Sequence, residues 1–386
     1  MGLLYSLKGL IITDTLIRYG SELYHHHDDH HPMWRRLILR VWLPSRCRPK
    51  ADPRDHRAGF LLLSTLAVFI VIRRAVRAHT SLLSRLLRCS RLVGTTSVDD
   101  DYSSFLPTCT GGLDEKYRLG GLLGQGSYAS VFKAIDPTTG VGYAVKAVAK
   151  EGSEAQVVAR ECCIMRQLNH PNILRLHATL EDGHTWYLVT ELCVGGELFG
   201  RLREMGTFTE AQALVVMPQI LSAVRHMHSR SVAHCDLKPE NFLFKTDGPV
   251  EGNTVKLIDF GLSQVCRGKG VLEGVMGNPY YVAPQVLSGC YDIACDMWSC
   301  GALLYLMLVG YPPFFGETYA EVLAKVRVGW YEFHESDWRH ISNAAKTLVT
   351  CLLTTDVEKR YTARQAVNSQ WVRGRLSLYN LIDSLS

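Results

Sequence analysis

Residues 234–241 constrain this chain more than any other stretch, because they place several chemically active side chains within a few positions. The segment reads His-Cys-Asp-Leu-Lys-Pro-Glu-Asn, and about twenty residues later the chain reads Leu-Ile-Asp-Phe-Gly, with its Asp at 259. Asp236 can orient a hydroxyl, and Lys238 can balance developing negative charge. Asn241 and Asp259 offer the oxygen ligands that Mg²⁺ prefers. The alternative is a loop between strands that holds a buried His and an ion-paired Asp.

These two segments resemble the catalytic loop and the metal-binding motif of eukaryotic protein kinases. The resemblance implies that Asp236 accepts the substrate proton or orients the hydroxyl, and that Lys238 stabilises the transferred phosphoryl group. It implies that Asn241 and Asp259 hold Mg²⁺. It also implies an α+β fold with two lobes, a small β-rich one and a larger helical one.

A glycine-rich segment, Leu-Gly-Gln-Gly-Ser-Tyr-Ala-Ser-Val at 123–131, lies between two predicted strands. Its glycines would let backbone N–H groups close over phosphates, although Ala129 replaces the third glycine of the family. Lys146 is the strand lysine that would bind the α- and β-phosphates, with Glu161 as its carboxylate partner. A tight hairpin and a surface ion pair are the alternatives. The resemblance assigns ATP to Leu123, Gly124, Gln125, Gly126, Ser127, Val131, Ala144, Lys146, Thr190, Glu191, Cys193, Glu197, Glu240 and Leu243.

The segment Trp-Tyr-Leu-Val-Thr-Glu-Leu-Cys resembles the last strand of the small lobe and the hinge that follows it. The backbone of Glu191 and Cys193 would form hydrogen bonds with adenine, and Thr190 takes the gatekeeper position. Glu197 would face the ribose and a basic substrate residue. Together with Glu240 it would favour substrates with a basic residue upstream of the phosphoacceptor.

Two departures from the family pattern lie at the end of the activation segment, which runs from Asp259 to Gln285. Asn278 replaces a threonine that bonds to the catalytic Asp and Lys in the family. Gln285 replaces a glutamate that pairs with an arginine, here Arg360. Because a hydrogen bond to Gln285 remains available, we expect lower stability rather than lost chemistry.

A third departure is Cys235, which stands where the family has an arginine that holds a phosphorylated activation loop. Ser263 is the only hydroxyl residue between Gly261 and Asn278. The receptor for a phosphate and its sites are therefore missing together. We predict activity that does not need activation-loop phosphorylation.

The region from Asp296 to Trp371 is similar to the calcium/calmodulin-dependent kinase group, and most of all to the calcium-dependent protein kinases of plants and apicomplexan parasites. Those relatives carry an autoinhibitory helix and EF-hands after the kinase domain. An EF-hand loop needs spaced Asp or Asn oxygens, a central Gly and a final Glu. No such loop follows Trp371, so we expect no calcium-binding domain in cis.

The charge of the chain is divided between two regions. Residues 1–94 carry 16 Lys and Arg against 6 Asp and Glu, a net charge of +10, whereas the remainder carries 26 against 31. This asymmetry favours an anionic membrane surface as a partner of the extension. Nucleic acid is not expected, because no recognition motif accompanies the arginines.

Two segments of the extension also favour a membrane. Residues 59–72 form an uncharged run of 14 residues, shorter than the roughly 20 that span a bilayer. Residues 82–93 have the pattern of a basic amphipathic helix, and Gly2 with Ser6 fits N-myristoylation. A helix packed on the kinase, an extension without a stable fold and a short signal anchor remain open.

Composition completes the prediction. With 47% hydrophobic and 20% charged residues the chain is globular. Its twelve cysteines show no CxxC spacing, which favours reduced thiols and a cytoplasmic location. We predict a basic, membrane-associated extension at 1–94, a linker at 95–112, a kinase domain at 113–375 (small lobe 117–192, large lobe 193–375) and a C-terminal tail at 376–386.

The predicted function is transfer of the γ-phosphoryl group of Mg-ATP to Ser or Thr of protein substrates. Lys238 in the catalytic loop favours Ser and Thr over Tyr. The alternative from a different class is a pseudokinase or membrane-tethered scaffold, which the departures at Cys235, Ala129, Asn278 and Gln285 favour. Turnover, rather than nucleotide binding, separates the two.

Overall fold

The computed structural model describes Ser104 and residues 112–126, 129–150, 155–266, 271–274 and 277–374. The predicted N-terminal extension with its membrane-seeking segments lies outside these residues, and so do nearly all of the linker and the whole C-terminal tail. The domain boundaries therefore stay predictions. Within the described ranges, no helix combines the length and the hydropathy that a bilayer-crossing helix needs.

The smaller lobe is built on five antiparallel strands: β1 (Arg118–Gln125), β2 (Ala129–Ile135), β3 (Gly142–Ala149), β4 (Leu176–Glu181) and β5 (Thr185–Glu191). Their spatial order is β1-β2-β3-β5-β4, so β3 lies in the centre. Val145 on β3 and Val189 on β5 are fully buried opposite each other. Because alternate residues of a strand face opposite sides, Lys146 leaves the other face of the sheet.

Two helices accompany the sheet, α1 (Leu113–Lys116) and α2 (Ala155–Gln167). The buried side of α2 includes Val158, Glu161 and Met165, which are spaced three and four residues apart. Side chains at this spacing lie on one stripe of a helix. The stripe therefore carries one carboxylate, Glu161, into an otherwise apolar interface.

The larger lobe is mostly helical. Its helices are α3 (Leu198–Met205), α4 (Glu210–His228), α5 (Cys295–Val309), α6 (Tyr319–Val328), α7 (Glu335–Trp338), α8 (Asn343–Leu352) and α9 (Ala363–Val367), with 3₁₀ turns at Pro239–Asn241 and Val286–Ser288. A capping box between Thr209 and Gln212 begins α4.

Helix α5 is the core of this lobe, since every residue from Cys295 to Val309 is buried. A helix that is apolar all round has to be surrounded by protein. Helix α8 crosses it so closely at Gly301 that an added Cβ would lie 2.9 Å from Leu352 Cβ. Asp296 is the only carboxylate on α5, and it is 1% exposed.

Short antiparallel pairs carry the functional loops. They are β6 (Val232–Ala233) with β9 (Gln264–Val265), β7 (Phe242–Phe244) with β8 (Val255–Leu257), and β10 (Leu272–Glu273) with β11 (Cys290–Tyr291). Residues 234–241 lie between β6 and β7, and Asp259 follows β8. The β7–β8 pairing therefore brings the two sequence motifs side by side, where the Ile258 N–H donates to the Asn241 carbonyl at 2.9 Å. The predicted α+β class with two lobes is confirmed.

Candidate active site

Asp296 fixes the backbone of the loop at 234–241. Its carboxylate accepts hydrogen bonds from the N–H groups of His234 at 2.8 Å and Cys235 at 3.0 Å. The His228 ring nitrogen Nε2 lies 2.9 Å from the same carboxylate. Burial alone would raise the pKa of Asp296, but the hydrogen bond and charge of His228 lower it overall. The carboxylate can thus hold Cys235 at φ +68°, a conformation that non-glycine residues rarely adopt.

Asp236, Lys238 and Asn241 form one cluster. Lys238 Nζ lies 2.7 Å from Asp236 Oδ2, and Asn241 Nδ2 donates to the same oxygen at 3.1 Å and to the Asp236 carbonyl at 2.7 Å. Burial lowers the pKa of Lys238, but the hydrogen bond to Asp236 raises it overall. The cluster therefore presents an oriented carboxylate beside a stable cation.

Among the described residues, Asp259 and Asn241 each keep an oxygen without a hydrogen-bond donor, and such oxygens fit a divalent cation. The Asp259 side chain is 51% exposed. Burial would raise its pKa, yet the charge of Lys146 lowers it overall and keeps the group ionised. Asn241 uses Nδ2 for both of its bonds to Asp236, which leaves its Oδ1 as an acceptor. A carboxylate and an amide oxygen are ligands that suit Mg²⁺.

Lys146 on β3 and Glu161 on α2 are in direct contact. Lys146 Nζ lies 2.7 and 2.9 Å from the two Glu161 oxygens, and 3.6 Å from Asp259 Oδ1. Burial lowers the pKa of Lys146, whereas Glu161 and then Asp259 raise it, and the net change is upward. The Glu161 side chain is only 5% exposed, so this pair is not a solvated surface contact.

The residues predicted to bind the nucleotide are distributed over elements of both lobes. Ala144 faces Thr190 across β3 and β5, and the Thr190 hydroxyl donates to the Ala144 carbonyl at 3.4 Å. Leu243 on β7 bridges to Glu197. The others lie on or next to strands of the small lobe: Leu123, Gly124 and Gln125 on β1, Gly126 after it, Val131 on β2, Glu191 at the end of β5 and Cys193 in the hinge. Ser127 lies outside the described residues.

Glu191 offers the site its backbone only, because its carboxylate is engaged elsewhere. Lys256 Nζ lies 2.7 Å from Oε1 and Lys245 Nζ lies 3.3 Å from Oε2, while the Arg175 N–H donates to Oε1 at 2.9 Å. These contacts attach the end of β5 to the β7–β8 hairpin. Burial raises the pKa of the neighbouring Cys193 thiol to about 11, which keeps it protonated.

Two acids lie beside the catalytic cluster. Glu240 is partly buried, and its Oε2 is a buried atom without a hydrogen-bond partner among the described residues. Glu197 precedes α3 and is exposed. An unpaired buried carboxylate oxygen is costly unless a ligand satisfies it. These acids can therefore receive a cationic group.

Three contacts were not predicted from the sequence. Arg160 Nη2 donates to the Gly261 carbonyl at 3.0 Å, Lys256 pairs with Glu191, and His228 with Asp296. The positions of two of them give a signal: Arg160 immediately precedes Glu161, and Lys256 interrupts an apolar strand three residues before Asp259. Nothing in the sequence pattern points to His228.

The departures from the kinase pattern have defined contacts. The Asn278 side chain accepts a hydrogen bond from the Tyr280 N–H at 3.0 Å, so it caps its own turn. The Gln285 Oε1 accepts from Arg360 Nη2 at 3.1 Å, as the substitution of glutamine for glutamate predicts. Ser263 is fully buried and donates to the His234 carbonyl at 3.3 Å.

Taken together, the two-lobed fold and this cluster define a protein kinase domain. Residues 117–372, more than half of the chain, match the family described as the protein kinase domain. The chain belongs to this family.

Within the family the chain is similar to calcium-dependent protein kinases, as predicted. It is 42% identical over 280 residues to calcium-dependent protein kinase 3 of Plasmodium yoelii yoelii, which covers 72% of this chain and 52% of that protein. It is 39% identical over 275 residues to calcium-dependent protein kinase 11 of Arabidopsis thaliana, covering 70% and 55%. It is 40% identical over 281 residues to calcium/calmodulin-dependent protein kinase type 1 of Macrobrachium nipponense, covering 71% and 80%. The chain spans about half the length of the calcium-dependent relatives named here.

Proposed function

We propose that this chain transfers the γ-phosphoryl group of Mg-ATP to Ser or Thr of protein substrates without activation-loop phosphorylation. The observation that carries this proposal is the joint placement of two ion-paired sets. One is Asp236 with Lys238 and Asn241, and the other is Lys146 with Glu161 and Asp259. Phosphoryl transfer depends almost entirely on positioning and electrostatic stabilisation, and these sets supply both.

Each side chain has a role that follows from its contacts. Asp236, held by Lys238 and Asn241, orients the substrate hydroxyl and accepts its proton. Lys238 stays close to the developing negative charge, and Lys146 positions the α- and β-phosphates while Glu161 fixes its ammonium group. Asn241 and Asp259 would hold Mg²⁺. When bound, this cation neutralises the phosphate oxygens.

Two observations support independence from activation-loop phosphorylation: one concerns the position that would bind the phosphate, and the other the hydroxyl that would carry it. Cys235 stands next to the catalytic Asp and carries no positive charge. Ser263 is fully buried with its hydroxyl bonded to the His234 carbonyl, so a kinase cannot reach it without local unfolding. Between Gly261 and Asn278, the described residues therefore offer no accessible Ser or Thr for that modification, and Cys235 offers no receptor for it.

A basic residue upstream of the phosphoacceptor is supported by the acids beside the cluster. Glu240 has a buried carboxylate oxygen without a partner in the described part of the chain, and Glu197 is exposed nearby. Leu306 is 7% exposed at the position where kinases that read a second arginine have an acid. We propose a requirement for one upstream arginine rather than two.

Peptide phosphorylation tests these proposals. The full chain, treated with phosphatase and with calcium chelated, is given Mg-ATP and a Ser peptide that contains one upstream Arg. We expect turnover that falls about tenfold or more when that Arg becomes Ala, because a charged hydrogen bond is lost. Equal rates for the two peptides would contradict the substrate preference. Turnover that appears only with a phosphorylated chain would contradict phosphorylation independence.

A scaffold without catalysis is the second candidate, and Gln285 is the observation that favours it. Its Nε2 is buried without a partner among the described residues, so this position is poorly adapted to its surroundings. However, Gln285 lies outside the two ion-paired sets. Folded protein that binds Mg-ATP but transfers no phosphate to any Ser or Thr peptide would favour the scaffold.

We also propose that residues 1–94 bring a cytoplasmic kinase to an anionic membrane surface. The support is the net charge of +10 in this region and the basic amphipathic pattern at 82–93. Co-sedimentation of the full chain with vesicles of phosphatidylserine and phosphatidylcholine tests it. Binding should exceed that to phosphatidylcholine alone and should weaken with salt. Equal binding to both would contradict it.

A further inference from the structure

Arg160 makes a contact that none of the kinase motifs assigns. Its Nη2 donates a hydrogen bond of 3.0 Å to the carbonyl of Gly261, a residue 101 positions later in the chain. Gly261 is the last residue of the Asp-Phe-Gly segment at 259–261. The next residue of α2 is Glu161, which holds Lys146. Two consecutive residues of one helix thus engage the active site.

The two residues reach different ends of the Asp-Phe-Gly segment. Consecutive positions of an α-helix project about 100° apart. Through Glu161 and Lys146, helix α2 reaches the carboxylate of Asp259, whose Oδ1 lies 3.6 Å from Lys146 Nζ. Through Arg160 it reaches Gly261 directly. A movement of α2 away from the site would therefore release both ends at once.

The segment needs such a restraint because its backbone is strained. Asp259 has φ +60°, a left-handed conformation that is uncommon for non-glycine residues and costs free energy. The Gly261 N–H lies 3.4 Å from Asp259 Oδ1, and its carbonyl, in the following peptide unit, accepts the Arg160 hydrogen bond. The backbone torsions of Gly261 therefore link the two contacts. Phe260 between them is fully buried and packs edge-on against His234. Rotation about the backbone bonds of Gly261 is thus the remaining freedom, and Arg160 opposes it by holding the Gly261 carbonyl.

We propose that Arg160 is a positioning residue: it holds the Gly261 carbonyl, limits rotation about Gly261 and so keeps the Gly261 N–H next to the Asp259 carboxylate while α2 is docked. This inference rests on the proposed kinase function and adds a residue to it. The guanidinium is charged at every physiological pH, so the link requires no modification. That property suits a chain in which Cys235 supplies no cation and Ser263 is buried.

Arginine variants of the full chain test the proposal. Arg166 provides the matched control, because it lies on the same helix and its Nη2 donates one hydrogen bond of 2.7 Å to the Thr179 hydroxyl, away from the segment. We expect Arg160→Ala to lower kcat about tenfold and to raise the Mg²⁺ concentration that gives half-maximal turnover. Arg160→Lys should recover part of both. Arg166→Ala should stay within about twofold of the wild type.

Two results would overturn the proposal. One is an Arg160→Ala variant with the kcat and the Mg²⁺ dependence of the wild type. The other is an equal loss in Arg160→Ala and Arg166→Ala, which would assign the effect to the stability of α2 as a whole.

Hydrogen exchange separates this proposal from the proposed function. The amides of residues 259–263 should exchange faster in Arg160→Ala than in the wild type or Arg166→Ala, whether or not the chain turns over. Unchanged exchange there would contradict the positioning role. A wild-type chain without turnover, but with faster exchange in Arg160→Ala, would leave the contact established and the kinase function rejected.

Discussion

The catalytic loop and the end of the activation segment differ in the partners of their buried charged groups. In the loop, Asp236 is paired with Lys238 at 2.7 Å. Two backbone N–H groups of the loop also donate to the carboxylate of Asp296 on α5. At the segment end, Arg360 is 3% exposed but has no carboxylate in hydrogen-bonding contact among the described residues. Burial lowers the pKa of Arg360 to about 10.

The acceptors around Arg360 are all uncharged. Its guanidinium donates to the carbonyls of Thr354 at 2.8 Å and Ala294 at 2.9 Å, and to Gln285 Oε1 at 3.1 Å. It also stacks over Trp298, with 5.2 Å between its Cζ and the ring centroid. The difference teaches that the groups next to the reacting atoms have kept their charged partners, while a supporting contact has exchanged charge for neutral hydrogen bonds.

The comparison is sharpened most by removing the charge that holds the catalytic loop. Both carboxylate oxygens of Asp296 accept a backbone N–H, from His234 and Cys235. Asp296→Asn keeps only one oxygen, so one of these buried N–H groups loses its acceptor. We expect a loss of about 3 kcal/mol in the free energy of unfolding. Asp292→Asn is the control, because Asp292 accepts one hydrogen bond, from Ala294, on the same turn. Denaturant unfolding measures both, and equal losses would contradict the special role of Asp296.

The stability difference between the wild type and Asp296→Asn should depend on pH in a defined direction. The pKa of Asp296 is lower in the folded chain than its ordinary value. Its contribution is therefore fully present above the unfolded pKa of about 4 and is lost as the pH falls through the folded value. The wild type should lose its advantage over Asp296→Asn in that range. A constant difference between them down to pH 2 would contradict the assignment.

The ion pair between Lys146 on β3 and Glu161 on α2, both in the small lobe, tests the comparison next. Glu161→Gln keeps the shape but removes the charge next to Lys146, so we expect kcat/KM to fall about tenfold to a hundredfold. Glu181→Gln removes the charge from a similarly short pair, with Lys150 at 2.6 Å, on β4 and away from the cluster. Steady-state kinetics with a peptide substrate should show little change in that control. Equal losses would mean that any small-lobe ion pair matters equally.

The sequence predicted the catalytic set because those residues are close together in the chain. Asp236, Lys238 and Asn241 meet within six positions, and their contacts follow from one loop. The two-lobed α+β fold was predicted from the kinase resemblance that these motifs carry. The contact from Arg160 to Gly261 spans 101 positions and depends on how α2 docks, which no local pattern encodes. The side chain of Asn278 accepts the Tyr280 N–H of its own turn at 3.0 Å, a local contact that the resemblance did not predict.

Restoring the missing charge should give the smallest effect. Gln285→Glu would place a carboxylate against Arg360 and remove the unpartnered amide nitrogen. We expect a gain of about 1–2 kcal/mol, or several degrees in Tm, at neutral pH. The new carboxylate is favoured in its ionised form, so the gain should shrink as the pH falls below about 4. Thermal unfolding at both pH values checks it, and a lower Tm at neutral pH would contradict the interpretation of Gln285.

Turnover by three forms of the full chain tests the central claim, which is that the catalytic set is complete although its support has lost charge. The forms are the wild type, Asp236→Asn and Gln285→Glu, measured with Mg-ATP and a Ser peptide. We predict that Asp236→Asn lowers kcat about a thousandfold or more, because it removes the base, while Gln285→Glu stays within about twofold of the wild type. A wild type without activity that gains turnover in Gln285→Glu would contradict the claim.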